Sequence, residues 1–429
     1  MERLLHYVWK YRLYKPSALV TTDGTVLEVI DPGLPNGNAG PDFFNAKIKV
    51  GTTVWAGSVE IHTKASDWLL HKHHEDRAYD TVILHVTSLD DAAIYRTNGA
   101  PVPQLVLQLS DSLRRQIEGL LKRDHPVPCL DRLAEIDPMH MTLWMGALLG
   151  ERLERKTEGI YQLLFKYGDD WNEAFYVLLT RSFGCGLNSD AFEWLARSLP
   201  FRCIQKQRNS ISQVEAMLFG QAGMLQHESS DHYYRLLQRE YQFLRYKFNL
   251  VSLDESLFKS LRVRPGNFPH IKLAQLAAIW TQHDTLFSKI MEAHTPGEIK
   301  SFFRVRPSDY WLTHYHFRYS SVSKEKTMGD SFLNILLINA VVPILFAYGQ
   351  KNQRADYVDR AIRLLESIPV EQNSIVRLFV GKGVKATHAG DSQSLIQLKR
   401  EYCEKKKCLY CRIGFQLLKR LIPDVQKVV

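Results

Sequence analysis

The chain is poor in cysteine and has no nucleotide-binding loop, and both absences narrow its function. Six cysteines in 429 residues, three of them within 403–411, are too few and too clustered for the disulfide framework of a small secreted protein. Neither a Walker loop nor a glycine-rich dinucleotide motif follows a strand-like segment, which argues against nucleotide-dependent chemistry. The first residues, MERLLHYVWKYRLYKP, lack the apolar stretch of a signal peptide. The sequence therefore predicts a cytoplasmic protein in a reducing compartment.

Long uncharged runs are also scarce. One run, FLNILLINAVVPILFAYG at 332–349, has no charge over 18 residues, which is the lower limit for a membrane span. It contains Asn334, Asn339 and Pro343, and basic residues follow it closely. We interpret it as a buried core helix kinked at Pro343, and we predict no membrane partner.

Acidic residues are fewer than basic ones, and the difference is unevenly distributed. The net charge is +9, from 55 Lys and Arg against 46 Asp and Glu. Residues 1–110 contain 10 basic and 12 acidic residues, so the excess belongs to the remainder. This distribution suits a chain that binds a polyanion through its later part. It equally suits a solvated, lysine-rich surface.

Hydrophobic periodicity divides the chain into an α+β part and a helical part. Residues 1–122 are predicted to form an α+β domain, 134–390 a large and mainly α-helical domain, and 391–429 a basic segment that contains cysteines. Two prolines in RDHPVPCLDRL (123–133) interrupt the helical pattern at the boundary. Within the first domain, the pattern predicts a helix, three strands, a helix and a strand, at 2–13, 25–31, 43–50, 52–63, 66–78 and 80–87.

Two acidic residues in this domain are expected to meet. Side chains alternate along a strand, so Glu60, His62 and Lys64 share one face if the strand continues that far. A hairpin between residues 43–50 and 52–62 brings Asp42 towards Glu60. Two converging carboxylates suit a hard cation such as Mg²⁺, which takes one or two carboxylates and keeps several waters.

The order of elements and these motifs resemble the PD-(D/E)XK nuclease superfamily. In that superfamily an Asp follows a Pro before the second strand, and an E-x-K lies on the third. Pro41-Asp42 matches the first motif, and Glu60-x-His62 matches the second except for its final lysine. The resemblance implies that Asp42 and Glu60 hold the metal and that His62, or Lys64, takes the place of the lysine that activates water. A neutral imidazole can act as a base but lacks a fixed positive charge.

The helix predicted at 66–78 is rich in imidazole and charge. Within it, His71 and His74 have the i,i+3 spacing of a weak zinc pair, and together with Lys72 they are candidates for contacts to phosphate. A solvated polar helix face is the alternative interpretation.

The C-terminal cysteines form a second candidate site. Cys403, Cys408 and Cys411 include a C-x₂-C pair, a spacing that can hold one metal. Zinc is the first interpretation and an iron–sulfur cluster the second, with unligated thiols as the alternative. A fourth ligand would come from His388, Cys129, Cys185 or Cys203. Around the cluster, three lysines suggest contact with nucleic acid: Lys405, Lys406 and Lys407.

Longer stretches spread over nearly the whole chain carry a second resemblance. They include GPDFFNAKI (40–48), GSVEIHTKASDW (57–68), HHEDRAYDTVILHV (73–86), EAMLFGQAGML (215–225), RPGNFPHIKLAQLA (264–277) and YCEKKKCLYCRIG (402–414). With these stretches the chain resembles a bacterial family catalogued as domain of unknown function 2851. This resemblance implies membership and no particular activity.

The two converging carboxylates and the PD-(D/E)XK resemblance together predict a metal-dependent nuclease that hydrolyses phosphodiester bonds in DNA or RNA. Two alternatives stay open, namely a non-catalytic nucleic-acid-binding protein on a degenerate nuclease scaffold and a scaffold whose helical part binds proteins. The sequence does not indicate an oligomeric state.

Overall fold

A computed structural model describes residues 2–14, 19–37, 39–108, 114–115, 117–119 and 125–420. The chain forms two compact units. The first takes its residues from Met1–Trp144, Gly381–Val384 and Leu398–Val429, and the second from Met145–Val380 and Lys385–Gln397. The C-terminal cysteines therefore belong to the same unit as the N-terminal sheet, whereas the sequence suggested a separate segment from residue 391. The predicted mixture of an α+β part and a largely helical remainder is confirmed.

The first unit begins with the helix α1 (Glu2–Lys10), and a mixed sheet follows it. The strands run in the order β1-β3-β4-β5-β6, and β2 pairs with β3. β1, β3 and β4 are antiparallel, and β4, β5 and β6 are parallel. Their bounds are Leu27–Asp31, Leu34–Pro35, Phe43–Val50, Thr53–Ile61, Val82–Thr87 and Gln104–Val106 for β1 to β6.

The burial of these strands follows their sequence pattern. Every residue of β5 is buried, as its continuous apolar run predicts. β3 buries Phe43, Ala46 and Ile48, and its alternation slips where the register with β4 shifts between Phe43 and Ala46. Between β4 and β5 the register shifts after Ser58, next to Gly57, where a Cβ would lie 2.5 Å from the Thr81 carbonyl oxygen. After the shift, Glu60 pairs with His85 and Ile61 with Val86, so the end of β4 lies beside the end of β5.

The prediction of one helix over residues 66–78 was wrong. Only Asp67–Leu70 is α-helical (α2), and 3₁₀ turns follow at His73–Glu75 and Arg77–Thr81. Lys72 has a left-handed backbone (φ 61°), which ends the first turn. The side chain of Asp76 then accepts a hydrogen bond from the backbone N–H of Ala78 and starts the last turn.

The rest of the chain is mainly helical. Its α-helices are Pro138–Lys166, Trp171–Phe183, Ser189–Ser198, Phe201–Gln207, Ile211–Gln221, His232–Phe248, Pro269–Gln282, Leu286–Glu292, Pro296–Phe303, Asp330–Leu336, Val342–Lys351, Ala355–Ser367, Ser374–Val380, Ala389–Gln397 and Arg412–Lys419. The last of these belongs to the first unit. One large apolar core fills the second unit.

Among the described residues, one helix is long and apolar enough to cross a membrane, Asp330–Lys351. In its most apolar window 78% of the residues are buried inside the protein. A π-helical turn at Leu337–Val341 lies just before Pro343, where the missing N–H of proline disturbs the regular hydrogen bonding. The run at 332–349 is therefore a core helix interrupted near Pro343, as the sequence predicted.

Candidate metal and hydrolase site

The pairing of β3 with β4 brings Asp42 and Glu60 together. Phe43 is the partner of Val59, so Asp42 lies beside the end of β4. The backbone N–H of Asp42 donates a hydrogen bond to Glu60 Oε2 at 3.0 Å, and the backbone N–H of Ile61 donates to Asp42 Oδ2 at 2.9 Å. The Glu60 carboxylate is thus held by the backbone of Asp42, and the Asp42 carboxylate by the backbone of Ile61, next to Glu60. One oxygen of each remains for another partner.

Histidines surround these carboxylates. The Nε2 atoms of His62 and His73 each lie 3.4 Å from Glu60 Oε1. His62 Nε2 is also 3.1 Å from His71 Nδ1. Among the described residues, His62, His71 and His73 form the one group whose three ligand atoms all lie within 4.8 Å of one another. On the other side, His6 Nε2 is 3.3 Å from Asp42 Oδ2.

A hydrogen-bond chain fixes the tautomer of His62. Gln104 donates from Nε2 to the Ala92 carbonyl oxygen, which can only accept, so Gln104 Oε1 faces His85 Nδ1 at 3.2 Å and accepts its proton. His85 Nε2 is then unprotonated and accepts from His62 Nδ1 at 2.9 Å. His62 Nε2 consequently presents a lone pair towards Glu60 and His71. Such an outer hydrogen bond is the usual means of orienting a metal-binding imidazole.

Burial gives this cluster unusual protonation behaviour. Burial raises the pKa of Glu60, the proximity of Asp42 raises it further, and the hydrogen bond with His73 partly opposes both. Burial, with the neighbouring histidines, lowers the pKa of His62 to about 2. Burial likewise lowers the pKa of His85 to about 4, although its hydrogen bond with Gln104 acts in the opposite direction. At neutral pH His62 and His85 are therefore uncharged, and the Nε2 lone pair of His62 is able to bind a cation.

The other residues predicted for this site lie further out. β4 ends at Ile61, so the face shared by Glu60 and His62 does not extend along the strand to Lys64. Lys64 is exposed, and its charge contributes to the lowered pKa of Asp91, after hydrogen bonds from Ser66. Lys72 is exposed beyond α2.

The predicted zinc pair is only half present in the cluster. His71 contacts His62, whereas His74 Nε2 lies 3.4 Å from Glu75 Oε1. The i,i+3 spacing would place His71 and His74 on one face only in a continuous helix, and the backbone is not helical at Lys72. His73 takes the place of His74 in the cluster.

Sequence analysis missed His6, His73, His85 and Gln104. One signal was present in the sequence, namely a histidine inside the continuous apolar run VILHVT. A buried imidazole needs hydrogen-bond partners, so its presence there indicates a polar network in the core. The position of His6 on α1 carries no comparable signal.

The C-terminal cysteines lie in the first unit, together with Cys129. All four are buried, whereas Cys185 is exposed. The remaining candidates for a fourth ligand, Cys203 and His388, are in the second unit with Cys185.

The lysines beside these cysteines have different surroundings. Lys405 Nζ lies 2.5 Å from Glu401 Oε2, and Lys406 Nζ donates to the carbonyl oxygen of His125 at 3.1 Å. Lys407 is exposed. Two of the three lysines predicted to contact nucleic acid therefore have partners within the protein.

The second unit contains a separate pocket of about 980 Å³. Its lining includes His227, His270, His314 and His316. Burial lowers the pKa of His270 to about 3. The pocket is distinct from the Asp42 and Glu60 cluster, which belongs to the first unit.

The first unit is thus an α+β module with a cluster of carboxylates and imidazoles, in which Glu60, His62 and His73 are buried. The chain belongs to the family described as "Protein of unknown function (DUF2851)", whose model matches residues 2–374. The matched range contains the cluster and Cys129. No significant match was found among curated proteins or among solved structures.

Proposed function

We propose that the chain is a metal-dependent hydrolase that cleaves phosphodiester bonds in DNA or RNA. The observation that carries this proposal is the convergence of Glu60 Oε1 with the ring nitrogens of His62 and His73, beside Asp42. The PD-(D/E)XK resemblance supports it, because Pro41-Asp42 precedes β3 and Glu60 lies near the end of β4. The short strand β2 and the interrupted segment after α2 depart from the core that the resemblance implies.

The donor atoms indicate which metal to test first. Asp42 and Glu60 alone suit Mg²⁺, which prefers oxygen ligands. The nearby imidazole nitrogens of His62, His71 and His73 favour a transition metal, because imidazole is a ligand for Zn²⁺ and its neighbours in the first row. We therefore expect Mn²⁺ or Zn²⁺ to support activity better than Mg²⁺.

Different residues of the cluster would have different roles in hydrolysis. A metal held by Asp42 and Glu60 would lower the pKa of a bound water and offset charge on the phosphate. His62 Nε2 has a lone pair, so it can serve either as a further ligand or as a base. Gln104 and His85 hold that lone pair in position.

The test uses the full chain, stripped of metal with a chelator and then supplied with Mg²⁺, Mn²⁺ or Zn²⁺. Substrates are supercoiled plasmid, single-stranded DNA and RNA. We expect Glu60→Gln to reduce cleavage at least about 100-fold, since metal-assisted stabilisation is worth several kcal/mol. The matched control is Glu75→Gln, whose side chain is 64% exposed. Cleavage that persists in an Asp42→Asn, Glu60→Gln double variant would show that these two residues do not hold the catalytic metal.

One observation favours a non-catalytic alternative. His62 occupies the position of the superfamily's lysine and is uncharged at neutral pH because burial lowers its pKa to about 2. The same unit would then bind nucleic acid without cleaving it. Salt-sensitive binding with no cleavage under any of the three metals would select this alternative.

A further inference from the structure

Four cysteines from distant parts of the sequence gather in the first unit. Cys129, Cys403, Cys408 and Cys411 are each between 6% and 8% exposed. Burial raises the pKa of Cys403, and the thiols of Cys129, Cys411 and Cys408 raise it further. The helix Arg412–Lys419, which Cys411 caps, packs against the 3₁₀ turn Leu130–Glu135, which Cys129 caps. Lys406 Nζ also donates to the carbonyl oxygen of His125 at 3.1 Å. Cys129 therefore lies beside the C-terminal cysteines, although it is far from them in sequence.

The surrounding backbone favours thiolates. Burial raises the pKa of Cys411 to about 11, while the backbone N–H groups of Gly414 and Ile413 and the Trp144 side chain act to lower it. Cys411 is also the N-cap of the helix Arg412–Lys419, whose dipole stabilises a negative charge there. Trp144 is buried, and among the described residues its Nε1 has no nitrogen or oxygen partner.

Close backbone contact holds Cys408 in this arrangement. The Cys411 N–H donates to the Cys408 carbonyl oxygen at 3.3 Å. A Cβ on Gly414 would lie 2.1 Å from that same oxygen, so the residue at 414 must be glycine. The loop is thus packed tightly against the first turn of the helix that follows it.

The spacing of the sulfur atoms distinguishes two kinds of centre. In a tetrahedral zinc site the sulfur atoms lie about 3.8 Å apart, because each Zn–S bond is about 2.3 Å. Among the described residues, no three of these sulfur atoms lie within 4.8 Å of one another, since the histidine cluster alone meets that distance. A four-iron cluster separates its cysteine sulfurs more widely, because each one binds a different iron.

We propose that Cys129, Cys403, Cys408 and Cys411 bind a four-iron, four-sulfide cluster. Assembly of the cluster converts four thiols into thiolates and releases four protons, and the iron and sulfide come from the cell's supply. Basic groups near the site, among them Lys399 and Lys406, offset the resulting negative charge. The cluster would connect Cys129 to the C-terminal segment of the same unit. This site is independent of the proposed hydrolase.

The experiment measures iron, acid-labile sulfide and zinc in the full chain purified without oxygen. We expect about four irons and four sulfides per chain, visible absorbance that bleaches on reduction, and a paramagnetic signal in the reduced state. Each of the variants Cys129→Ser, Cys403→Ser and Cys411→Ser should lose most of the iron. Cys185→Ser and Cys203→Ser should retain it and serve as matched controls.

Specific outcomes would overturn the proposal. These are one zinc per chain, no metal, or iron that survives in Cys129→Ser. If the serine variants fail to fold, the wild-type protein is alkylated before and after oxidative removal of iron and mapped by mass spectrometry. We expect the four cysteines to be protected before removal and labelled after it, with Cys185 labelled throughout. Equal labelling of the four cysteines in both states would also overturn the proposal.

Discussion

Glu60 combines two properties that seldom occur together in one side chain. It is 5% exposed, yet it lies beside the acidic Asp42 and beside imidazoles of which His62 is uncharged. Without a cation, burial favours the protonated form and raises the pKa of Glu60. A bound metal would reverse this preference, because the carboxylate is the form that binds. The free energy of unfolding of the metal-free protein should therefore depend on the protonation of Glu60.

The first prediction concerns Glu60→Gln in metal-free protein. The raised pKa means that the folded protein holds the Glu60 proton more strongly than the unfolded chain. This contribution is fully present below the ordinary pKa of 4.5 and is lost as pH rises through the pKa of the folded state. Glutamine cannot ionise, so the variant should match wild type near pH 4 and become progressively more stable than it towards pH 8.

Urea unfolding in the presence of a chelator, from pH 4 to pH 8, measures the difference in the free energy of unfolding. The control for removal of a carboxylate is Glu75→Gln, because the Glu75 side chain is 64% exposed. Mn²⁺ should reverse the order, making wild type the more stable protein. A difference in the free energy of unfolding between Glu60→Gln and wild type that stays constant from pH 4 to pH 8 would contradict this prediction.

At the level of elements, three neighbouring parallel segments build the hydrogen-bond chain. Gln104 lies on β6, His85 on β5, and His62 directly after β4. The parallel register pairs His85 with Gln104 and Glu60 with His85. Their side chains meet in the core because the segments are adjacent, although His62 and His85 are 23 residues apart in sequence. The sheet thus sets the direction of the His62 lone pair.

The second prediction tests this chain with Gln104→Met, which keeps the volume but removes the acceptor for His85. His85 is then free to carry its proton on Nε2, and His62 Nε2 loses its fixed lone pair. We expect metal affinity to fall about 10- to 100-fold, the usual effect of losing an outer-shell partner. Competition with a fluorescent chelator measures this change. Gln108→Met, at an exposed position close in sequence, should leave affinity unchanged.

The sequence was informative where periodicity is strong. Alternation in β3 and β4 and the apolar run of β5 predicted the sheet, and the hairpin geometry predicted that Asp42 and Glu60 would meet. The segment after Ala65 was misread because its charged and apolar spacing is compatible with a helix. The left-handed backbone at Lys72 is not visible in that spacing. Contacts such as His73 with Glu60 depend on tertiary packing and therefore could not be predicted from local pattern.

At the scale of the whole molecule, both candidate sites lie in one of the two units. The histidine cluster and the four cysteines belong to the first unit, while the large apolar core belongs to the second. Any ligand that binds the folded state stabilises the part of the chain that forms its site. Metal should therefore act on the unfolding of the first unit.

The third prediction is that calorimetry of the full chain resolves two transitions and that Mn²⁺ moves only one. At a free metal concentration of 100 times Kd, the expected stabilisation is about 2.7 kcal/mol. Glu60→Gln should abolish the shift. Phe303→Ala identifies the other transition, because this fully buried side chain of the second unit should cost about 3 to 5 kcal/mol on truncation. If Mn²⁺ moves the transition that Phe303→Ala lowers, the ion binds outside the histidine cluster, and the assignment of Glu60 fails with it.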